Sequence, residues 1–216
     1  MKYLKFTLLF NILISFSANA LLEVNILKSK EAAFPIVIAP FEVIGDSNKN
    51  IDIAKIIRDN LNRSGQFSAL STDALVTNQI DFNFWKEHKK DAVVFGKVEQ
   101  ISPKVYNIYI YIYDVFSEKS LYQKKITVSN SGFRRMAHFL SDKIYYVLLG
   151  QKGSFNTRLS YVTVTDNDSG GRTYRLQISD SDGENPQTIV RQSNPILSPA
   201  WSKDQQKLAY VSFKNN

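Results

Sequence analysis

Isoleucine and tyrosine alternate from Ile108 to Tyr113, so Ile108, Ile110 and Ile112 face one side of a strand and Tyr109, Tyr111 and Tyr113 the other. That strand, predicted over residues 105–114, lies between two more, over 92–100 and 121–129. Upstream, residues 35–41 (PIVIAPF) form a short apolar run rich in β-branched side chains. Such a run predicts a strand buried on both faces. The IYIYIY stretch is also an aggregation hazard if it is exposed before folding is complete.

Helical spacing replaces alternation in two places. Over 51–64, Ile53, Ile56, Ile57 and Leu61 fall on one face, and Gly65 stands where a helix would stop. Over 133–149, Met136, Ala137, Leu140, Ile144, Val147 and Leu148 make an apolar stripe that Gly150 ends. A shorter helix carrying Phe84 and Trp85 is predicted over 81–89, and residues 67–70 read as extended. Strands and helices mixed in this way predict an α/β (α+β) layered domain with one shared core.

The texture changes near residue 154. Short strands are predicted over 159–165, 174–179, 187–191 and 207–213. Polar turns separate them: Asp166-Asn167-Asp168-Ser169-Gly170-Gly171, then Asp180-Ser181-Asp182-Gly183. Successive antiparallel strands of this kind suggest a sandwich, a barrel or a propeller blade.

The first twenty residues have the three parts of a secretory signal peptide. Lys2 and Lys5 supply the positive start, Phe6 to Phe16 the apolar run, and Ala18-Asn19-Ala20 the small-x-small cleavage pattern. Cleavage would fall between Ala20 and Leu21. The run is short for a spanning helix, which needs about 20 apolar residues. The division expected is therefore 1–20 signal peptide, 21–150 α/β domain and 151–216 β segment.

Removing Lys2 and Lys5 takes the net charge from +7 to +5, with the cations scattered rather than in blocks. Nucleic-acid binding calls for a clustered basic patch with interleaved aromatics, and none is visible. The chain has no cysteine, which excludes a lipid-modified cysteine, thiol catalysis and cysteine metal sites. Only His88 and His138 carry imidazole, without metal-ligand spacing. There is no nucleophile elbow and no phosphate loop. No enzyme activity, cofactor or small-molecule substrate is expected. His138 lies off the apolar stripe of its helix, which predicts a solvated surface position. Asp166, Asp168, Asp180 and Asp182 lack calcium-loop spacing and read as turn formers. The tyrosine row reads as the second face of a sheet, and Trp201 as a packing residue.

These features together resemble a family. Tyr174-Arg175-Leu176-Gln177-Ile178-Ser179-Asp180-Ser181-Asp182-Gly183 resembles the blade strand and turn of the TolB family, the periplasmic component of the Tol-Pal system. Leu197-Ser198-Pro199-Ala200-Trp201-Ser202, followed by Lys207-Leu208-Ala209-Tyr210-Val211, is similar to the recurrent S-P-A-W-S-P-D-G-x-x-L-A-Y element of its β-propeller. Residues 155–162 resemble the entry to its first blade, and residues 91–98 its N-terminal domain. The pattern departs at Lys203 and Gln205, which stand where the family has proline and glycine. That substitution predicts a turn less pre-shaped for its geometry.

The resemblance implies an α/β (α+β) N-terminal domain followed by an incomplete β-propeller, the first blade and the start of the second. A blade takes about 40–45 residues and a closed propeller about four to eight blades. A fragment or a truncated gene is therefore expected, with residues 154–216 poorly packed on their own. It implies a non-enzymatic periplasmic adaptor of a Gram-negative bacterium, supporting outer-membrane integrity and invagination during cell division. Its implied partners are inner-membrane TolA and the outer-membrane lipoprotein Pal, through which it would associate peripherally with the outer membrane. The segment Leu21, Leu22, Glu23, Val24, Asn25, Ile26, Leu27, Lys28 and Ser29 is either an edge strand or, as the resemblance implies, the TolA-binding element. The Pal contact is implied for the propeller. The alternatives left open are a fragment of an exported propeller hydrolase and a stand-alone periplasmic binding domain.

Overall fold

The computed structural model describes residues 33–45, 52–72, 76, 79–168 and 170–214. The signal peptide, the cleavage residues and Leu21 to Ser29 lie outside these residues. Residues 33–216 form one compact unit.

A six-stranded mixed sheet organises the first part of that unit. Its strands are β1 (Phe34–Ile38), β2 (Glu42–Ile44), β3 (Phe67–Leu70), β4 (Ala92–Ser102), β5 (Val105–Asp114) and β6 (Ser120–Ser129). The order is β3-β1-β4-β5-β6, with β2 also on β4. The pairs β1–β3, β1–β4 and β2–β4 are parallel, whereas β4–β5 and β5–β6 are antiparallel. Among the described residues three α-helices flank the sheet: α1 (Ile53–Arg63), α2 (Phe82–Glu87) and α3 (Phe133–Leu149).

The alternation along each strand decides what each face covers. Ile36, Ile38, Ala92, Val94, Ile108, Ile110 and Ile112 form the main core with Ile53, Ile57 and Leu61 of α1 and Ala137, Leu140 and Ile144 of α3. The opposite face buries Val37, Val93, Phe95 and Val115 against Trp85 of α2. Tyr111 and Tyr113 lie on that second face and stack on Phe95, with ring centroids 5.0 and 5.9 Å apart. Their row is thus part of the sheet's packing. Offset aromatic pairs add about 0.5–1.5 kcal/mol each beyond their buried area.

Caps set the helix ends. The Asp52 carboxylate accepts the Lys55 N–H at 2.8 Å, satisfying a first-turn donor of α1. Gly150 closes α3 in the left-handed region, φ 69°, and its N–H donates to the Tyr146 carbonyl at 2.9 Å.

Beyond α3 the strands β7 (Arg158–Asp166), β8 (Arg172–Asp180) and β9 (Gln187–Gln192) form an antiparallel sheet. A hairpin, β10 (Ile196–Trp201) and β11 (Leu208–Ser212), follows and packs against β7. The strand β10 is an element that the periodicity of the sequence did not single out. Pro199 interrupts it, and the register shifts between Leu197 and Ala200 with Ser198 at φ 52°, the bulge at which a strand tolerates proline. Leu176 and Ile196 are fully buried here, but Leu159, Val164, Ile189, Leu197 and Val211 stay open to solvent. No described helix is long and apolar enough to cross a membrane.

Candidate functional site

The most elaborate polar cluster among the described residues lies where α1 and α3 meet the β8–β9 turn. Arg134, in the first turn of α3, reaches across to that turn. Its Nε donates to the Asp180 carboxylate at 3.1 Å, and a terminal nitrogen donates to Asp182. The turn itself holds both carboxylates in place. Gly183 at φ 88° lets its N–H reach the Asp180 carbonyl at 3.0 Å, and Asn185 Nδ2 donates to Asp180 Oδ2 at 2.8 Å.

One turn further along α3 is His138. It is 2% exposed, where a solvated surface position was expected. The apolar stripe of α3 faces the sheet, and His138, off that stripe, is enclosed by polar groups of α1 and the β8–β9 turn. Its Nδ1 lies 2.9 Å from Asn60 Nδ2, which also donates to Ser141 Oγ at 2.9 Å. The Asn60 Oδ1 accepts from Arg63 at 2.9 Å. Arg63 has only donors to offer, so the amide orientation is set and both Nδ2 protons point at His138 and Ser141. The network therefore assigns Nδ1 as an acceptor and leaves the imidazole proton on Nε2.

That Nε2 has no hydrogen-bond partner, standing 3.6 Å from Asp182 and 4.0 Å from Asp180. Burial pushes the imidazole below the usual histidine range. Asp182 and Asp180 pull the other way, and Arg134 and Arg63 add to the depression.

His138, Asp180 and Asp182 are also the one group among the described residues close enough to hold a metal ion. The chemistry of the group argues for a clamp instead. Arg134 already pairs with both carboxylates, and a metal on Nε2 would require a proton on Nδ1, facing the Asn60 amide donors. Asp180 and Asp182 form the turn as expected, Asp182 accepting the Glu184 N–H at 3.2 Å, and in addition bind Arg134.

Two further contacts complete the seam. The Asp142 carboxylate of α3 accepts the N–H groups of Phe155 and Asn156 at 2.8 and 3.1 Å. Phe155 packs into the main core edge-on to Tyr145, centroids 5.7 Å apart, and its carbonyl accepts Ser181 Oγ at 2.5 Å. Gly153 is required here because a Cβ would stand 2.4 Å from Asp142 Oδ1.

At the far end of the hairpin, Gln205 takes φ 58°, the conformation that glycine favours. Asp204 holds the turn by accepting Ser202 Oγ at 2.5 Å and the Gln206 N–H at 3.1 Å. The Ser202 bond is the first cause of an Asp204 carboxyl held below its usual range. Arg158 lies over the Trp201 ring, 4.9 Å from its centroid.

Two family models match in the order of the two halves. One, described as the TolB amino-terminal domain, matches residues 22–121, and the other, the TolB beta propeller domain, matches residues 145–216. The chain belongs to the TolB family.

Among its relatives, the Tol-Pal system protein TolB of Ruthia magnifica is 58% identical over 198 residues, 92% of this chain and 47% of that protein. The TolB of Vesicomyosocius okutanii is 53% identical over 197 residues, 91% of this chain and 46% of that protein. The crystal structure of TolB from Acinetobacter baumannii superposes with a TM-score of 0.73 at 35% identity, covering 84% of this chain and 44% of that one. The chain spans about half the length of the curated relatives it matches. Their β-propeller assignment agrees with the blade and hairpin found here, whose sheets do not close on themselves.

Proposed function

We propose that this TolB-family chain is a non-enzymatic adaptor of the Tol-Pal system in the periplasm. It would link inner-membrane TolA to the outer-membrane lipoprotein Pal, supporting envelope integrity and invagination at division. The observation that carries this reading is the ordered match of both TolB domains, with relatives named Tol-Pal system protein TolB. A signal peptide over 1–20 and a divide near residue 150 belong to the same reading.

In this proposal the mature end, Leu21 to Ser29, engages TolA, and the propeller engages Pal. A segment bound in extended form adds affinity through main-chain hydrogen bonds. Its capture would be an order–disorder event whose ordering entropy offsets part of the gain. The seam supports the adaptor reading because it couples the two halves through fixed polar contacts.

The test is a titration of purified TolA domain into the mature chain and into a variant lacking residues 21–29. Loss of TolA binding in the variant, with the same thermal midpoint, is the expected result. Equal binding by both would overturn the assignment of that segment.

A further inference from the structure

Asn60, His138 and Ser141 are buried together where α1 meets α3, and Arg63 beside them is exposed. The four form one directed chain of hydrogen bonds. Arg63 donates to Asn60 Oδ1, and Asn60 Nδ2 donates to His138 Nδ1 and to Ser141 Oγ. Ser141 Oγ in turn donates to the Ala137 carbonyl at 2.8 Å. Across the ring, Nε2 stands 3.6 Å from Asp182 and 4.0 Å from Asp180. The charged groups around the imidazole are Arg63 of α1, Arg134 of α3, and Asp180 and Asp182 of the β8–β9 turn.

A second proton on this ring goes to Nδ1, because Nε2 already carries one. Nδ1–H would then face the amide donors of Asn60, and a buried donor without an acceptor is costly. A half-turn of the Asn60 amide exchanges Oδ1 and Nδ2 and gives that proton its acceptor. Ser141 tolerates the exchange, because its hydroxyl can rotate to donate to Oδ1. Arg63 does not, since its guanidinium has only donors and would now meet a donor. Arg63 also stands in the wall of a hollow of about 430 Å³ that is lined by Asp59, Asp182 and Glu184. Carboxylates are therefore at hand for the released guanidinium.

We propose that His138, Asn60 and Arg63 form an acid-operated switch, in which protonation of His138 at Nδ1 turns the Asn60 amide over and transfers Arg63 from Asn60 to the carboxylates of its hollow. Above the transition Arg63 locks the amide, and the amide ties α1 to a neutral imidazole on α3. Below it the imidazolium lies between Asn60 Oδ1 and the carboxylates of the β8–β9 turn, where opposite charge favours it. Burial of the ring sets the transition below about pH 6.5.

The test is NMR of the isotope-labelled full chain between about pH 7.5 and 4.5, the range in which a buried histidine titrates. At the upper end, a scalar coupling across the hydrogen bond from Asn60 Nδ2 to His138 Nδ1 is expected. It should vanish as His138 titrates, and the Asn60 amide and Arg63 Nε–H signals should shift with the same midpoint. An Arg63 signal that stays unmoved through the His138 titration would overturn the switch. So would global unfolding before His138 titrates, because the switch requires a folded acid form. Arg63→Met removes the lock and should raise the His138 midpoint by about one pH unit. Loss of the Arg63 charge alone contributes to that rise, so the same replacement is also made in an Asn60→Ala chain, where no amide is left to lock. A smaller rise there is expected. Equal rises in the two backgrounds would show that Arg63 acts through its charge only, and would overturn the proposal.

Discussion

Asn60 on α1 and His138 on α3 meet through a 2.9 Å hydrogen bond buried between the two helices. Asn60 gives the proton, so Nδ1 is the acceptor, while burial pushes the imidazole below the usual histidine range.

That relationship predicts the effect of a single-atom change. Asn60→Asp puts a carboxylate where the amide stood, which accepts from both Arg63 and a protonated His138 Nδ1. The His138 pKa should rise from its depressed value to above the usual histidine range, read from the ring proton shifts against pH. An unchanged pKa would mean that the amide does not set the tautomer.

Acid should weaken the native chain through the same residue. The folded pKa lies below the unfolded one, so the unfolded chain binds the proton more readily. The His138 contribution is complete above about pH 6.5 and is lost as pH falls from there toward the depressed folded value. Denaturant midpoints between pH 7.5 and 5 should fall more steeply for the native chain than for His138→Gln. Parallel curves would contradict this.

Arg134→Met removes the cation shared by Asp180 and Asp182. Leaving these partly buried carboxylates unpaired should cost about 1–3 kcal/mol. Amide exchange should quicken in β8 and β9 before it does in β4 and β5. Adding Asp182→Asn should recover part of the loss, because it removes an orphaned charge. A double variant no more stable than Arg134→Met would argue against the clamp.

Gly153→Ala should be destabilising by about 1–3 kcal/mol, because the methyl meets Asp142, which cannot retreat without releasing Phe155. The thermal midpoint measures this directly. A neutral substitution would show that the linker is slack.

Gln205→Gly should act in the other direction. It relieves a left-handed residue and should stabilise the hairpin by about 1 kcal/mol. The entropy that glycine adds to the unfolded chain sets the upper limit of that gain. Denaturant unfolding of the full chain is the measurement.

The elements that repeat with a period were legible in the residues alone. Ile108, Ile110 and Ile112 are all fully buried, as their alternation requires. The stripes of α1 and α3 face the sheet for the same reason, and Gly150 ends α3 as expected. A strand or helix imposes its own period on burial, so the pattern survives whatever it packs against. The strand β10 escaped because Pro199 and a bulge break the alternation.

The seam could not be read in this way. Arg134 and Asp182 are 48 positions apart, and nothing in the local sequence of either points to the other. His138 follows the polar face of its helix, so periodicity places it in solvent; only the docking of α1 and of the β8–β9 turn encloses it. The signal for it was indirect: two polar residues, Asn60 and Ser141, also sit on the inward sides of their helices. Local sequence determined which residues join the sheet and the two helical stripes, because burial there follows backbone period. Tertiary structure alone decided the charge state of His138 and the pairing of Arg134, because both depend on which dipoles and charges distant segments bring within a few ångströms.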